Sequence, residues 1–159
     1  MKCLVFSDSH GDPYNMKRAI NRNPDAEVVF FLGDGISDAE SLALEDSRRM
    51  WIAVRGNCDL SCVFLNRELN KTEQITLEGK KIMLTHGDVY GVKGGLEGLS
   101  SAARSRGADI VLFGHTHMPF EHYDDGLYLF NPGSISRPAY SFGVLMLTQS
   151  GVLLSHGSI

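Results

Sequence analysis

Residues 110–120 read IVLFGHTHMPF, an apolar run that breaks off into Gly-His-Thr-His. Its β-branched and aromatic character reads as a buried strand. In an extended chain, side chains two apart point to the same side, whereas on a helix they sit about 160° apart. His115 and His117 are then placed to reach a common target where the strand ends. Two loop histidines falling close together by chance would look the same, so the rest of the chain must decide.

Four further apolar runs end in the same way. KCLVFSDSH ends in Asp8 and His10, EVVFFLGD in Asp34, MWIAVRGN in Asn57, and KIMLTHGD in His86. Glycines 33, 56, 87 and 114 beside these residues allow sharp turns and close backbone approach. Between the runs lie helical patterns, and this alternation argues for an α/β architecture. Asp12 can cap a first helix, with Pro13 in its first turn. Ser37 to Glu40 has the Ser-x-x-Glu form of a capping box opening a second helix towards Arg49. A Gly-rich loop leads into a third helix around Leu96–Arg106.

TEQITLEGKKIMLT suggests a hairpin turning at EGKK. Two more hairpins are expected to turn at DDG and QSG. Trp51, Phe30 and Phe31 read as core, and His122 and His156 as structural or exposed. The glycines from Gly91 to Gly98 spell neither a Walker loop nor a dinucleotide fingerprint. No repeat or linker interrupts the chain, so one domain over residues 1–159 is expected.

Hydrophobic residues make up 43% of the chain and charged residues 21%, the balance of an ordinary globular protein. No apolar run approaches the ~20 residues of a membrane span, and the first residues lack the long apolar core of a signal peptide. Cys3, Cys58 and Cys62 form no disulfide framework, which fits free thiols in the cytoplasm. A net charge of −4 argues against an extended nucleic-acid surface. An anionic substrate would therefore need positive charge from another source, such as metal ions.

Asp8, His10, Asp34, Asn57, His86, His115 and His117 form a nitrogen and oxygen donor set without thiolate. In open α/β sheets, ligands bind beyond the carboxyl ends of the strands, where all of these residues fall. Such donors suit Mn, Fe, Zn, Ni or Co better than calcium. Seven donors exceed one tetrahedral site but match two ions sharing a carboxylate. Two-metal sites hold their ions about 3.5–4 Å apart and clamp both oxygens of a phosphoryl displacement. Two divalent ions outweigh Asp8, Asp34 and a bound hydroxide, so an acidic protein can still attract a phosphate ester locally.

In order and spacing, Asp8-Ser-His10, Gly33-Asp34, Gly56-Asn57, His86-Gly87 and Gly114-His115-Thr-His117 resemble the calcineurin-like metallophosphoesterases. The GNCD form of the third motif and the later NPGS resemble the small phosphodiesterases of that superfamily. The resemblance implies a four-layer αββα fold, two β-sheets packed as a sandwich flanked by helices. It also implies that Asp8, His10 and His117 hold one metal, Asn57, His86 and His115 the other, and that Asp34 bridges them. A hydroxide between the metals would attack phosphorus, Asn57 would also contact a phosphoryl oxygen, and Thr116 would turn away. The cofactor expected is a pair of divalent ions, manganese first, with Ni, Fe, Zn or Co as alternatives.

Many members of this family carry His immediately after the Asn of the third motif, where it serves the leaving group. Here that position is Cys58, followed by Asp59, which would otherwise orient the missing imidazole. A thiol with a reference pKa near 8.5 replaces an imidazolium poorly, so diesters with acidic leaving groups are expected to react best. Cys58 as a small packing residue is the competing reading. Arg137, after NPGS, either binds a substrate phosphate with its planar donors or is a solvated loop arginine. The expected function is a metal-dependent phosphodiesterase acting on a small or nucleotide-like diester. A phosphomonoesterase is the nearest alternative. A non-catalytic scaffold resembling a retromer subunit of this fold is the alternative from another class. No interface patch is evident, although a homodimer is the commonest assembly for a soluble protein.

Overall fold

The computed structural model describes residues 1–159. In chain order the elements are β1 (Lys2–Phe6), α1 (Tyr14–Arg22), β2 (Val28–Phe31), α2 (Ile36–Glu45) and β3 (Met50–Ala53). A small hairpin follows, β4 (Val63–Phe64) and β5 (Arg67–Glu68), then β6 (Thr72–Leu77) and β7 (Lys80–Thr85). A 3₁₀ turn (Asp88–Tyr90), α3 (Glu97–Ser105), β8 (Ile110–Leu112), β9 (Pro119–Asp124), β10 (Leu127–Pro132), β11 (Ser141–Thr148) and β12 (Gly151–Ser158) complete the chain.

One sheet runs β12-β11-β1-β2-β3 and the other β6-β7-β8-β10-β9. Strand alternation sorts the side chains into layers. From β1 and β2, Val5, Val28 and Phe30 pack between the sheets with Ile110, Leu112 and Phe130 of the second sheet. Leu4, Phe6, Val29 and Phe31, on the opposite face, pack with Met16 and Ile20 of α1 and Ala39 and Leu42 of α2. Met83 and Val111 face Leu99 and Ala103 of α3. The result is the expected four layers, α-β-β-α. Each central strand is covered on both faces, which is why these strands are continuously apolar. No helix is long and apolar enough to cross a membrane.

The structure corrects several local readings. Asp12 Oδ1 accepts from the Tyr14 N–H (3.0 Å), so it caps α1 as expected. The capping box of α2 does not form, because Ser37 lies inside the helix and Glu40 Oε1 accepts from the Leu65 N–H instead. The α2 amides are taken by Asp59, a residue twenty-odd positions downstream. Trp51 is half-buried, not core, with its indole N–H directed to Asp46. The EGKK hairpin turns on Glu78 and Gly79, both with positive φ, the geometry of a type I′ turn. The β4–β5 hairpin was not expected, because its turn uses Leu65-Asn66, which carries none of the usual Gly signals.

Strands β1, β2 and β3 are parallel, with Phe6, Phe31 and Ala53 in register, so their carboxyl ends share one edge. β7 and β8 are likewise parallel, with Leu84 beside Leu112. The loops that leave these ends are tied to one another, within each sheet and between the sheets. The Asp8 N–H donates to Gly33 O, the Gly114 N–H to His86 O, and the Ile135 N–H to Ser7 O, each at 3.0 Å.

Candidate metal centre

Asp8, Asp34 and His86 are buried at these strand ends, His115 and His117 are half-buried, and His10 and Asn57 are exposed. Asp8 Oδ1 is the centre of one group. His117 Nε2 lies 3.1 Å from it and His10 Nε2 3.7 Å, and the two imidazole nitrogens are 3.2 Å apart. Its other oxygen is already engaged, accepting from Ser7 Oγ (2.6 Å) and the His115 N–H (3.2 Å). Oδ1 itself is buried without a hydrogen-bond partner. An orphaned carboxylate oxygen costs free energy unless something positive meets it.

Asp34 heads the second group. His86 Nε2 lies 3.3 Å from Asp34 Oδ2 and 3.1 Å from His115 Nδ1. His86 Nδ1–H donates to the Leu32 carbonyl at 2.7 Å, which turns the lone pair of Nε2 towards the carboxylates. Asp34 is also grouped with His10 and Cys58, all ligand atoms lying within 4.8 Å of one another. It therefore stands between the two histidine pairs, as a bridge requires. Converging carboxylate and imidazole lone pairs around an orphaned oxygen fit divalent cations, and Asp8-His10-His117 and Asp34-His86-His115 could each hold one.

The backbone here is strained. Asp8, His10, Asp34, His115 and His117 all have φ between 49° and 66°, the left-handed region that non-glycine residues avoid. Each such residue costs on the order of 1–3 kcal/mol and persists only where its surroundings enforce it. GHTH is therefore not the extended strand end that its alternation suggests. β8 stops at Leu112, and left-handed residues turn His115 towards His86 and His117 towards Asp8. Thr116 does turn away, its hydroxyl accepting from Asn131 Nδ2 at 3.0 Å.

The other candidates lie around this cluster. Asn57 Nδ2 donates to Cys58 Sγ (3.3 Å), and the Cys58 N–H donates to Asp34 Oδ1 (2.8 Å). Cys58 thus borders the cluster, whereas Cys3 is sealed between the sheets and its thiol is pushed up to about 12 by burial. Arg137 is exposed, and its carbonyl lies 3.3 Å from Ser134 Oγ. Ser134 and Ser136 hydroxyls both donate to the Asp8 carbonyl, at 2.8 and 2.9 Å, so the Arg137 loop is tied to a candidate ligand.

Asp59 does not wait for an imidazole. It is buried, and its carboxylate accepts four backbone N–H groups, from Asp34, Gly35, Ile36 and Gly56. The supporting roles of Ser7 and Ser136 carried no signal in the sequence, whereas Asn131 and Ser134 belong to the NPGS motif, whose contacts to Thr116 and Asp8 only the fold reveals.

Burial opposes the charge on Asp34, but its hydrogen bond to His86, the His86 charge and the Cys58 N–H outweigh it. The carboxyl is held well below the usual range. Burial likewise opposes the His86 imidazolium, yet Asp34 and Asp8 raise its pKa above the ordinary histidine value. His115 is lowered by burial, then by the His86 charge and Lys93. The Cys58 thiol is raised, first by its contact with Asp34 and then by burial, so it stays protonated at neutral pH.

Residues 1–150 match the calcineurin-like phosphoesterase superfamily domain. Over 140 residues the chain is 34% identical to YsnB, a probable metallophosphoesterase of Bacillus subtilis, covering 87% of this chain and 77% of that protein. It is 29% identical over 156 residues to the phosphodiesterase YfcE of Escherichia coli K12, covering 87% of this chain and 81% of YfcE. Its fold superposes on the crystal structure of Entamoeba histolytica Vps29 complexed with zinc with a TM-score of 0.76. That likeness is at 25% identity, over 99% of this chain and 98% of the other. Since the superfamily match spans every strand end that meets at this cluster, the chain belongs to the calcineurin-like phosphoesterase superfamily.

Proposed function

We propose that this protein is a metal-dependent phosphodiesterase acting on a small or nucleotide-like diester at a dinuclear centre. The observation that carries the reading is Asp8 Oδ1, buried, without a hydrogen-bond partner and within 4 Å of the imidazoles of His10, His86 and His117. Asp8, His10 and His117 would hold one ion, Asn57, His86 and His115 the other, and Asp34 would bridge. Manganese is the first choice, with Ni, Fe, Zn or Co as alternatives.

When bound, the ions supply positive charge to the phosphoryl oxygens and activate a water for attack on phosphorus. The chain's own residues do the rest. Asp34 stays ionised and, with Asp8, would present carboxylate oxygens to the ions, and Leu32 O fixes the His86 tautomer. The exposed Asn57 amide would donate to a phosphoryl oxygen, and the exposed Arg137, in the loop tied to Asp8, would bind an anionic substrate. Cys58 keeps its proton and offers little general-acid help, which favours diesters whose leaving groups need none. This weighs against a phosphomonoesterase. The phosphodiesterase name of YfcE points the same way.

The likeness to Vps29 supports a second reading, a protein-interaction scaffold. The seven candidate ligands are all present here, which favours the enzyme. Hydrolysis of a bis-aryl phosphodiester by metal-stripped protein, with Mn, Ni, Zn, Fe and Mg added back singly, separates the two. Turnover restored by a transition metal and abolished in Asp34→Asn supports the diesterase. Folded protein that neither binds nor responds to any of these metals supports the scaffold.

A further inference from the structure

Asp59 offers two carboxylate oxygens to four backbone amides. Oδ2 accepts from Asp34 N–H and Gly56 N–H, both at 2.8 Å. Oδ1 accepts from Gly35 N–H (2.8 Å) and Ile36 N–H (2.9 Å), the latter the first residue of the ten-residue helix α2. Three consecutive amides at a helix N-terminus make an anion-binding nest, and here the anion is supplied from within the chain. The grip is reciprocal, because Asp34 Oδ1 accepts from the N–H of Cys58, the neighbour of Asp59.

This ring of hydrogen bonds encloses two candidate ligands. Asp34 sits in left-handed backbone, φ 60°, with its N–H held by Asp59 and its side chain aimed at His86. Asn57 lies between Gly56, whose N–H Asp59 holds, and Cys58, whose N–H Asp34 holds. A Cβ on Gly56 would collide with the Asp34 carboxylate, so the two loops meet without slack. The Asp59 carboxylate makes no hydrogen bond to a side chain of the cluster, and its four bonds are all spent on placing backbone.

We infer that Asp59 is the positioning residue of the metal centre, setting Asp34 and Asn57 together so that the second ion can bind. The inference rests on the dinuclear reading above. Asp8 is held chiefly by other contacts, among them Ser7, Ser134 and Ser136, and His10 meets this loop only through its N–H to the Asp34 carbonyl (3.1 Å). Loss of Asp59 should therefore weaken the second ion, which loses both Asn57 and the bridging Asp34, more than the first, which keeps Asp8, His10 and His117. Losing a residue that orients metal ligands typically weakens metal binding by about 10–100-fold.

The test is a manganese titration of the metal-stripped protein, followed by calorimetry and by electron paramagnetic resonance, which distinguishes a coupled Mn pair from a single ion. Wild-type protein should take two coupled ions. Asp59→Asn replaces two acceptor positions by an amide N–H₂ that opposes the N–H groups it must face. It should keep one uncoupled ion with the smaller loss of affinity and bind the second about 10–100-fold more weakly. Asp59→Glu retains the charge but overreaches by one methylene, and should show the same selective loss if Asp59→Asn does not fold. Asp109→Asn is the matched control. Asp109 Oδ2 also accepts a backbone amide, that of Lys81 (2.8 Å), on the second sheet, so this variant should keep both ions. Two coupled ions at wild-type affinity in a folded Asp59 variant would overturn the inference, as would equal losses of both ions or an equal loss in Asp109→Asn. Wild-type protein that never takes a second ion would instead overturn the dinuclear reading on which it rests.

Discussion

His86 Nε2 lies 3.3 Å from Asp34 Oδ2 while its Nδ1–H is fixed on the Leu32 carbonyl at 2.7 Å. One ring therefore joins the end of β2 to the end of β7 and couples the protonation of the two groups. In metal-free protein Asp34 is depressed and His86 raised. Asp34 contributes stability above the reference carboxylate pKa of about 3.9, lost as pH falls through its lower folded value. His86 contributes stability that is complete below about pH 6.5 and lost as pH rises through its higher folded value. His115, lowered, adds a loss below about pH 6.5, where it must charge. Above neutrality only His86 of this trio titrates, so the Tm of the protein in chelator should fall as pH rises. Saturating manganese should reverse that limb, because the ion displaces the proton. A rising or flat Tm in chelator above pH 7, measured by calorimetry, would remove the His86–Asp34 coupling from the account.

Asp34→Asn should cost more than the loss of any other single carboxylate. Asn retains one carbonyl oxygen, but its N–H₂ would face His86 or the second ion. Metal-dependent turnover should fall by at least the ~10–100-fold seen for residues that merely orient ligands. Retained turnover under saturating metal would show that Asp34 does not bridge.

Cys58→His should leave reaction of bis-aryl diesters nearly unchanged and raise that of alkyl diesters. General acid catalysis is typically worth about 10²–10⁴-fold, which bounds the gain. The measurement is the dependence of kcat/KM on leaving-group pKa. A slope equal to that of the wild type would mean that position 58 takes no part in departure of the leaving group.

Gly114→Ala should damage the centre without replacing a ligand. A Cβ there collides with Ser7 Oγ and comes within 3.0 Å of Asp8 Oδ2. Forcing a methyl into so tight a contact costs about 1–3 kcal/mol, read as a lower urea midpoint. The displaced Ser7 should also weaken the Asp8-His10-His117 site, visible in a metal titration. A variant as stable as wild type with unaltered metal binding would show that the Ser7–Asp8 contact has slack.

Much of this protein is legible in its amino-acid order. Residues such as Val5, Phe30 and Leu112 alternate with Leu4, Phe31 and Val111 because each strand has two buried faces. That pattern dictates the sandwich before any contact is known. The polar residues that end these runs are equally visible, because an apolar strand has no local reason to stop five times in Asp, Asn or His. Element type and the list of candidate ligands follow from periodicity and side-chain chemistry, which act within a few residues.

Tertiary structure decided what depends on distance through space. The left-handed backbone of Asp8, His10, Asp34, His115 and His117 has only a weak local signature, since Asp and His adopt it more readily than most residues but far less readily than glycine. It exists because surrounding contacts outweigh a strain that isolated peptides would relieve. The α2 N-terminus shows the same division. Locally, Ser37 and Glu40 promise a capping box, yet Asp59 takes those amides. A carboxylate held rigidly across the fold costs less ordering at that point than a side chain that must fold back on its own helix. Sequence thus names the groups that meet at the centre, and only packing sets which lone pair faces which neighbour.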